Sequence, residues 1–500
     1  MFLIILLLIV FLFYKSSLLY YFISDDFLGF IKINNLFDLI KIDPFNNHYS
    51  PVIKVIGFIL NKFFAFNPFP YHFYTIFIHL VNIYLVYSLS KLFFNSKVKN
   101  ILSALIFAFF FANYEVVFWY GASNNSLLVT FYILSLIFLI KYVSHSVIPS
   151  GVEGSSKYSI LFQIFFILAF LTHEYAISLI PVGIIYWWFF TEKKGWKESL
   201  KLFSVPVFAV ILTTVLKVIF VKIPLIVRTP SILKFIAFTM RSFVYLFIPN
   251  PYIVDKIPNI FIPIIFLILL IFLFKVTKNK RALFLLIWAA ATIFIYSLTS
   301  APQARYFYLS FIPVIIFITS VISNSKVIPT EMEGSSKKDF STPPPVGGSA
   351  RNDNIGRQII FISYLSFILI SGVVFLQNQK YYWRLNSQIT KNVINDLKKY
   401  FPKLQKTDVL YFVNLPDSSN NSIWKAYVFR AGFEGLLNNF ANIYPKKIIY
   451  LTSFKPTPHT MDAPYITPEK LSELKQKNII FIYNEELKTV ILMPSHPQGD

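Results

Sequence analysis

Two adjacent carboxylates follow the first apolar stretch of this 500-residue chain, in the segment YYFISDDFLGF at positions 20–30. Asp25 and Asp26 repel each other, gain nothing from a bilayer and have no following basic neighbour until Lys32. A carboxylate at a water boundary can act as a general base, and a second acid nearby raises its basicity or holds a divalent metal. The pattern therefore favours a functional role for Asp25 and Asp26.

Other polar side chains also stand at the ends of apolar stretches. They are Glu115 in ANYEVVFWYGASNN, His173 and Glu174 in LTHEYA, and Arg305 in SAPQARYFYL, and His48 lies in the loop segment NNHYSP. Charged groups at such positions are costly and tend to be functional. Simpler alternatives remain open. Glu174 could stabilise the positive N-terminal end of a helix, Arg305 could extend to lipid headgroups, and His48 could be a solvated loop histidine.

The composition indicates a membrane protein, because 56% of the residues are hydrophobic and only 14% are charged. A spanning helix needs roughly 20 mostly apolar residues. About eleven stretches reach or approach this length: 2–23, 71–90, 101–111, 125–140, 158–171, 175–190, 203–221, 257–274, 282–298, 306–321 and 359–377. The net charge of +22 would suggest nucleic acid as the partner of a soluble protein. Here the charges lie in loops, and we expect no nucleic acid partner.

The positions of the basic residues predict the topology. Cytoplasmic loops collect Lys and Arg, and the short loops 91–100, 191–201 and 275–281 carry such clusters. With the N-terminus inside, all three loops are cytoplasmic, and the acidic pair, Glu115, His173, Glu174 and Arg305 lie on the extracytoplasmic face. The chain has no cysteine, so an extracytoplasmic domain would not depend on disulfides.

Composition also divides the chain into segments. The segment 323–357 contains a second copy of a VIP…EGSSK element found near position 150, followed by a Pro-, Gly-, Ser- and Asn-rich run, which predicts a disordered cytoplasmic insert. A last transmembrane helix is predicted at 358–377. Residues 378–500 then read as a small soluble α/β domain, with a helix, a β-α-β unit and a closing hairpin. The whole chain is thus predicted to be a polytopic α-helical membrane protein with an extracytoplasmic α/β domain.

Several motifs of residues 1–322 resemble, in order and topology, the GT-C membrane glycosyltransferases, which include protein mannosyltransferases and lipid A aminoarabinose transferases. These motifs are SDDF, HYSP with VIKVIGFILNKFFAF, NYEVVFWYGASNNSLL, LTHEYAISLIP and RYFYL. By this resemblance Asp25 is the candidate base, Asp26 its partner and Glu115 a second-loop acid. Arg305, His173, Glu174 and His48 are the candidate residues for binding the donor and its phosphate. His173 stands where the family commonly has Lys.

The resemblance implies a bacterial cell-envelope enzyme that transfers a sugar, with inversion, from a polyprenyl-phosphate donor to a hydroxyl of a glycan, lipid or protein acceptor. No cofactor is required by the motifs, and a divalent metal held by Asp26 and Glu115 is left open. Two alternatives remain open: a transporter or lipid flippase, and a non-catalytic membrane scaffold that displays residues 378–500. A transporter would be expected to have ionisable residues or Gly/Pro breaks deep within paired spans, together with internal symmetry, whereas here the acids cluster at one face. A scaffold would leave Asp25 and Asp26 free to vary.

Overall fold

The structure is a computed structural model. It describes residues 1–30, 50–146, 152–191, 195–221, 231–277, 279–299, 303–321, 348–400 and 409–493, the last range with gaps at 420–423, 430–431, 442–444, 454–459, 462 and 477. His48 and most of the predicted insert lie outside the described residues. Most of the described chain is helical, as the sequence predicts, and a small sheet follows near the C-terminus.

The membrane part is a bundle of apolar helices. In chain order the helices of eight or more residues are Phe2–Tyr14, Pro51–Phe64, Pro68–Phe93, Lys97–Ala108, Ser123–Ser146, Val152–Thr172, Leu179–Phe190, Trp196–Val221, Ile232–Phe247, Ile262–Val276, Lys280–Thr299, Ala304–Val321 and Gly348–Tyr400. Short helical turns at Asn113–Phe118 and Pro251–Val254 connect some of them. Since the bilayer core offers no water to unpaired backbone groups, helices that bond their own N–H and C=O groups suit it.

Eight helices among the described residues are long and apolar enough to cross a membrane, and two shorter apolar helices lie at Ser156–Thr172 and Glu174–Phe190. The chain is therefore a multi-pass membrane protein, but the predicted number of eleven spans is not confirmed. Three predicted spans are not among these eight helices: 158–171 and 175–190 correspond to the two shorter apolar helices, and 101–111 overlaps the helix Lys97–Ala108, which has only 12 residues. At 1.5 Å per residue such a helix is too short to cross the hydrocarbon core.

The last membrane helix continues into the soluble domain. Gly348–Tyr400 has 53 residues, so it is about 80 Å long, well beyond the roughly 30 Å of hydrocarbon. It begins inside the segment that the sequence assigns to the insert, and it joins the predicted last span to the helix predicted near 385–397. Near its end Asp396 accepts a hydrogen bond from Thr489 in the sheet domain at 2.6 Å. The division of the chain into domains otherwise stays a prediction.

The C-terminal domain contains a four-stranded sheet in the order β2-β1-β3-β4. Its strands are β1 (Val409–Val413), β2 (Lys447–Leu451), β3 (Ile479–Asn484) and β4 (Thr489–Leu492). β1 is parallel to β2 and β3, and β3 and β4 form an antiparallel hairpin. The predicted β-α-β unit and hairpin are therefore confirmed. Of the helix predicted across 424–444, the described residues are helical at Phe433–Ala441 and not at 424–429, and residues 430–431 and 442–444 lie outside the described ranges.

A close helix crossing gives the first testable prediction. Gly372 of the long helix lies so near the end of the helix Lys97–Ala108 that a Cβ atom would be 2.0 Å from the carbonyl oxygen of Phe109. Overpacking of this kind costs about 1–3 kcal/mol. We expect Gly372→Ala to lower the melting temperature of the detergent-solubilised protein. Val374→Ala, at a side chain that is 56% exposed on the same helix, is the matched control, and equal melting of the two variants would contradict the crossing.

Candidate functional site

The acidic pair lies in a 3₁₀ helix, Ser24–Phe30, just after the first membrane helix and its 3₁₀ extension. Asp26 is buried, and its two carboxylate oxygens are both engaged: Oδ1 accepts from the Gly121 N–H at 2.6 Å and Oδ2 from the Ile23 N–H at 2.9 Å. Burial raises the pKa of the Asp26 carboxyl to about 8, with an added increase from Asp25, while the two N–H donors act in the opposite direction. Asp26 thus joins the segment after the first membrane helix to the loop around Gly121.

Asp25 has a different environment. Its side chain is partly exposed, and its Oδ1 accepts a hydrogen bond from the Ser24 hydroxyl at 3.1 Å. Ser24 itself has a φ of 48°, in the left-handed region that non-glycine residues rarely adopt. Such backbone strain persists only where surrounding contacts impose it, and it is common at functional sites. The two neighbouring acids therefore differ: Asp26 is buried and accepts a backbone N–H on each oxygen, whereas Asp25 is partly exposed and accepts from Ser24.

Glu115 and Arg305 form a buried ion pair where the helix Ala304–Val321 begins. Glu115 Oε2 accepts from the backbone N–H of Arg305 at 3.0 Å and from its guanidinium Nη1 at 3.4 Å. The side chains are only 4% and 18% exposed, respectively. Arg305 lies at the N-terminal, positive end of this helix, which is unfavourable for a cation, and the negative charge of Glu115 offsets this cost. Glu115 therefore fixes both the start of this helix and the guanidinium.

Aromatic rings form the walls around the guanidinium. The carbon Cζ of Arg305 lies 5.4 Å from the ring centroid of Trp119 and 5.2 Å from that of Tyr306, both within cation–π range. Arg305 also interacts electrostatically with Asp25. The structure therefore brings Asp25, Glu115 and Arg305 to one place. Tyr306 follows Arg305 directly in the chain, so its proximity could have been anticipated from the sequence.

His173 and Glu174 lie farther along the same aromatic cluster. His173 is buried, stacks on Tyr175 with ring centroids 4.4 Å apart, and accepts the Tyr175 N–H through Nδ1 at 3.4 Å. Tyr175 in turn contacts the Tyr306 ring at 5.2 Å. Glu174 is partly exposed and begins a 3₁₀ helix. The imidazole of His173 is thus connected to the surroundings of Arg305 through rings.

The two acids considered for a metal do not suit a cation. Both oxygens of Asp26 already accept backbone N–H groups, and Glu115 is paired with a guanidinium. In the part of the chain that the structure describes, no three His, Cys, Asp or Glu side chains cluster as a metal site would require. A divalent cation beside Glu115 would also be repelled by Arg305. The donor set therefore does not fit a metal held by Asp26 and Glu115.

The sequence did not identify the C-terminal domain as part of this neighbourhood. The Ser24 N–H donates to the carbonyl of Val428 at 2.8 Å, and the Tyr427 ring lies 5.8 Å from Trp119. Gly432, at a φ of +83°, and Gly435 lie so close that a Cβ would be 2.5 Å from the Ser24 carbonyl oxygen and 2.6 Å from that of Phe27, respectively. In the sequence, these two glycines are the local feature that could have indicated this contact, because a glycine often marks a close approach of two backbones.

The whole architecture has counterparts among solved structures. The chain is similar to the crystal structure of ArnT from Cupriavidus metallidurans in the apo state, with 11% identity, coverage of 97% of this chain and 93% of that chain, and a TM-score of 0.51. For ArnT from the same organism bound to undecaprenyl phosphate, the identity is 12%, the coverages are 97% and 93%, and the TM-score is 0.49. No protein-family model matches the sequence, and no curated protein matches it. The chain therefore has the fold of ArnT, and the resemblance to the GT-C glycosyltransferases is confirmed at the level of the fold.

Proposed function

We propose that this protein is an integral membrane glycosyltransferase that moves a sugar from a polyprenyl-phosphate donor to a hydroxyl acceptor on the extracytoplasmic face. The observation that carries the proposal is a guanidinium, Arg305, fixed by Glu115 beside a loop that Asp26 holds against Gly121 and that carries the partly exposed carboxylate of Asp25. A donor with its tail in the bilayer would present its phosphate and sugar at this level. The ArnT-like fold supports the same class of reaction.

In the proposed reaction the oxygen of the acceptor hydroxyl attacks the anomeric carbon of the donor sugar, and Asp25 takes the proton of that hydroxyl. The bond from that carbon to the phosphate oxygen breaks, and its electron pair stays on the phosphate. Arg305 stabilises the charge of the departing polyprenyl phosphate. A single displacement of this kind inverts the anomeric centre. All the protons and electrons are accounted for without a metal.

The other candidate residues receive supporting roles in this proposal. Asp26 is a positioning residue, because its two hydrogen bonds to backbone N–H groups hold the loop that presents Asp25. Glu115 is the positioning residue for Arg305. His173 and Glu174 are proposed to face the donor from the far side of Tyr175, and His48 stays a prediction. The acceptor is a hydroxyl-bearing glycan, lipid or protein.

The acidic pair provides the decisive test. Asp25→Asn keeps size and hydrogen bonding but cannot take a proton, so we expect sugar transfer from radiolabelled polyprenyl-phosphate sugars in membranes to fall by about 100-fold or more, the scale of general-base loss. The melting temperature should stay near that of the unmodified protein. Near-normal transfer by Asp25→Asn at matched protein level would refute the role of Asp25 and, with it, the proposed mechanism.

Asp26→Asn is the matched comparison for that experiment. An asparagine can accept only one of the two backbone N–H bonds through its oxygen, because its NH₂ group is itself a donor. We therefore expect a lower melting temperature and a smaller loss of transfer than for Asp25→Asn. The reverse order of the two losses would assign the base to Asp26 instead.

Arg305→Lys tests the phosphate role. Lysine keeps the charge but lacks the planar fork that can bind Glu115 and a phosphate together. We expect the KM for the donor to rise by about 10-fold, which corresponds to a lost charge-assisted hydrogen bond, with a smaller change in the KM for the acceptor. Arg281→Lys, whose guanidinium bonds only to the Phe93 carbonyl, is the control. Equal effects on donor and acceptor would argue against phosphate binding.

The proposed orientation is tested by labelling, because the chain has no cysteine of its own. Glu486→Cys, at an exposed position of the C-terminal domain, should react with a membrane-impermeant maleimide in intact cells. Lys97→Cys, exposed in a loop that we place inside, should react only after permeabilisation. Labelling of Lys97→Cys alone in intact cells would reverse the topology and remove the acids from the extracytoplasmic face.

A further inference from the structure

The segment Trp424–Phe429 of the C-terminal domain passes between the acidic loop and the long helix Gly348–Tyr400. Several hydrogen bonds hold its backbone, among them one from the Ser419 N–H to the Ala426 carbonyl at 3.1 Å. Asn386 of the long helix donates to the Tyr427 carbonyl at 2.9 Å, and Gln379 donates to that of Trp424 at 3.3 Å. The Val428 carbonyl accepts from the backbone N–H of Ser24 at 2.8 Å, and the Val428 N–H donates to the backbone carbonyl of Asp417 at 2.8 Å. This segment is therefore fixed to the membrane part and is not a free loop.

A side-chain anchor holds the other end of the segment. The indole N–H of Trp424 donates to Asp255 Oδ2 at 2.9 Å, and the Tyr245 hydroxyl donates to the other oxygen of the same carboxylate. The Trp424 ring also packs edge-on against Phe111 at 5.3 Å and Tyr245 at 5.0 Å. Asp255 thus ties the C-terminal domain to the outer loop that follows the helix Ile232–Phe247.

Tyr427 is the residue of this segment that reaches the candidate site. Its ring lies 5.8 Å from the Trp119 ring, which is itself one of the two rings beside the Arg305 guanidinium. Tyr427 also interacts electrostatically with Arg305 and with Tyr114. A phenolic hydroxyl near a guanidinium can donate to an anion that the guanidinium binds. Because the backbone of Tyr427 is fixed, its hydroxyl would already be in position before the anion binds. Binding would then carry no entropic cost of ordering this side chain's backbone.

We propose that Tyr427 is a donor-specificity residue: the C-terminal domain completes the Arg305 site by presenting the Tyr427 hydroxyl to the phosphate of the lipid-linked donor. The inference rests on the proposed function and deepens it, because it gives the C-terminal domain a part in binding the donor. The ligand class is a phosphate carried on a polyprenyl chain. The hydroxyl and the guanidinium would bind different oxygens of the same phosphate.

Binding of two matched lipids to the full-length protein in nanodiscs tests this proposal. Undecaprenyl phosphate carries the phosphate, and undecaprenol has the same chain without it. The unmodified protein should prefer the phosphate, and Tyr427→Phe should weaken binding of undecaprenyl phosphate by about 10-fold, the scale of one hydrogen bond to a charged group. Binding of undecaprenol should stay unchanged. Tyr465→Phe, at an exposed tyrosine of the same domain, is the control.

Trp424→Phe is a second variant that keeps an aromatic ring but loses the hydrogen bond to Asp255. If the anchor positions Tyr427, this variant should also reduce the preference for phosphate, by less than Tyr427→Phe does. Unchanged preference in Tyr427→Phe, with melting like that of the unmodified protein, would overturn the assignment of Tyr427. If the unmodified protein shows no preference for undecaprenyl phosphate and no transfer, the proposed function itself fails, so the two failures are distinguishable.

Discussion

The ion pair between Glu115 and Arg305 is the interaction on which the arrangement of the candidate site depends. A guanidinium that is only 18% exposed favours a partner, because removing an unpaired charge from water is costly. Glu115 meets this need and also accepts the backbone N–H at the start of the helix Ala304–Val321. Loss of either partner would leave the other as an unpaired, buried charge. The pair therefore fixes a helix end, the second outer loop and the guanidinium in one contact.

Around this pair the chain uses backbone contacts to hold a loop that has little regular structure. Asp26 binds the N–H of Gly121, two residues beyond Trp119 in the second loop. On the other side the glycines of the C-terminal domain approach the carbonyls of the acidic loop, and Ser24 donates to Val428. Such contacts matter because a single short 3₁₀ helix holds its own side chains in place only weakly. The segment is held from both sides, and Asp25 stays partly exposed.

Sequence patterns predicted the parts that follow from local chemistry. Apolar length identified most of the membrane helices, and the β-rich runs with a hairpin signal gave the order of elements in the small sheet domain. The clustering of Asp25, Glu115 and Arg305 followed from topology, because each lies at a span end on one predicted face. The predicted number of spans is not confirmed where an apolar run, 101–111, overlaps a helix of only 12 residues, since apolar length in sequence does not determine where a helix ends.

The contributions of Tyr427, Trp424 and Asp255 could not be predicted, because nothing local in the sequence indicates contacts between positions separated by 169 residues. These contacts arise from the length of Gly348–Tyr400, which carries the chain out of the bilayer and returns the following domain to the outer loops. Each residue added to or removed from this helix would rotate the following domain by about 100° about the helix axis, which would separate Tyr427 from Trp119. The continuous helix thus couples the membrane part to the soluble domain, so that the position of the Tyr427 ring against Trp119 depends on where this helix ends.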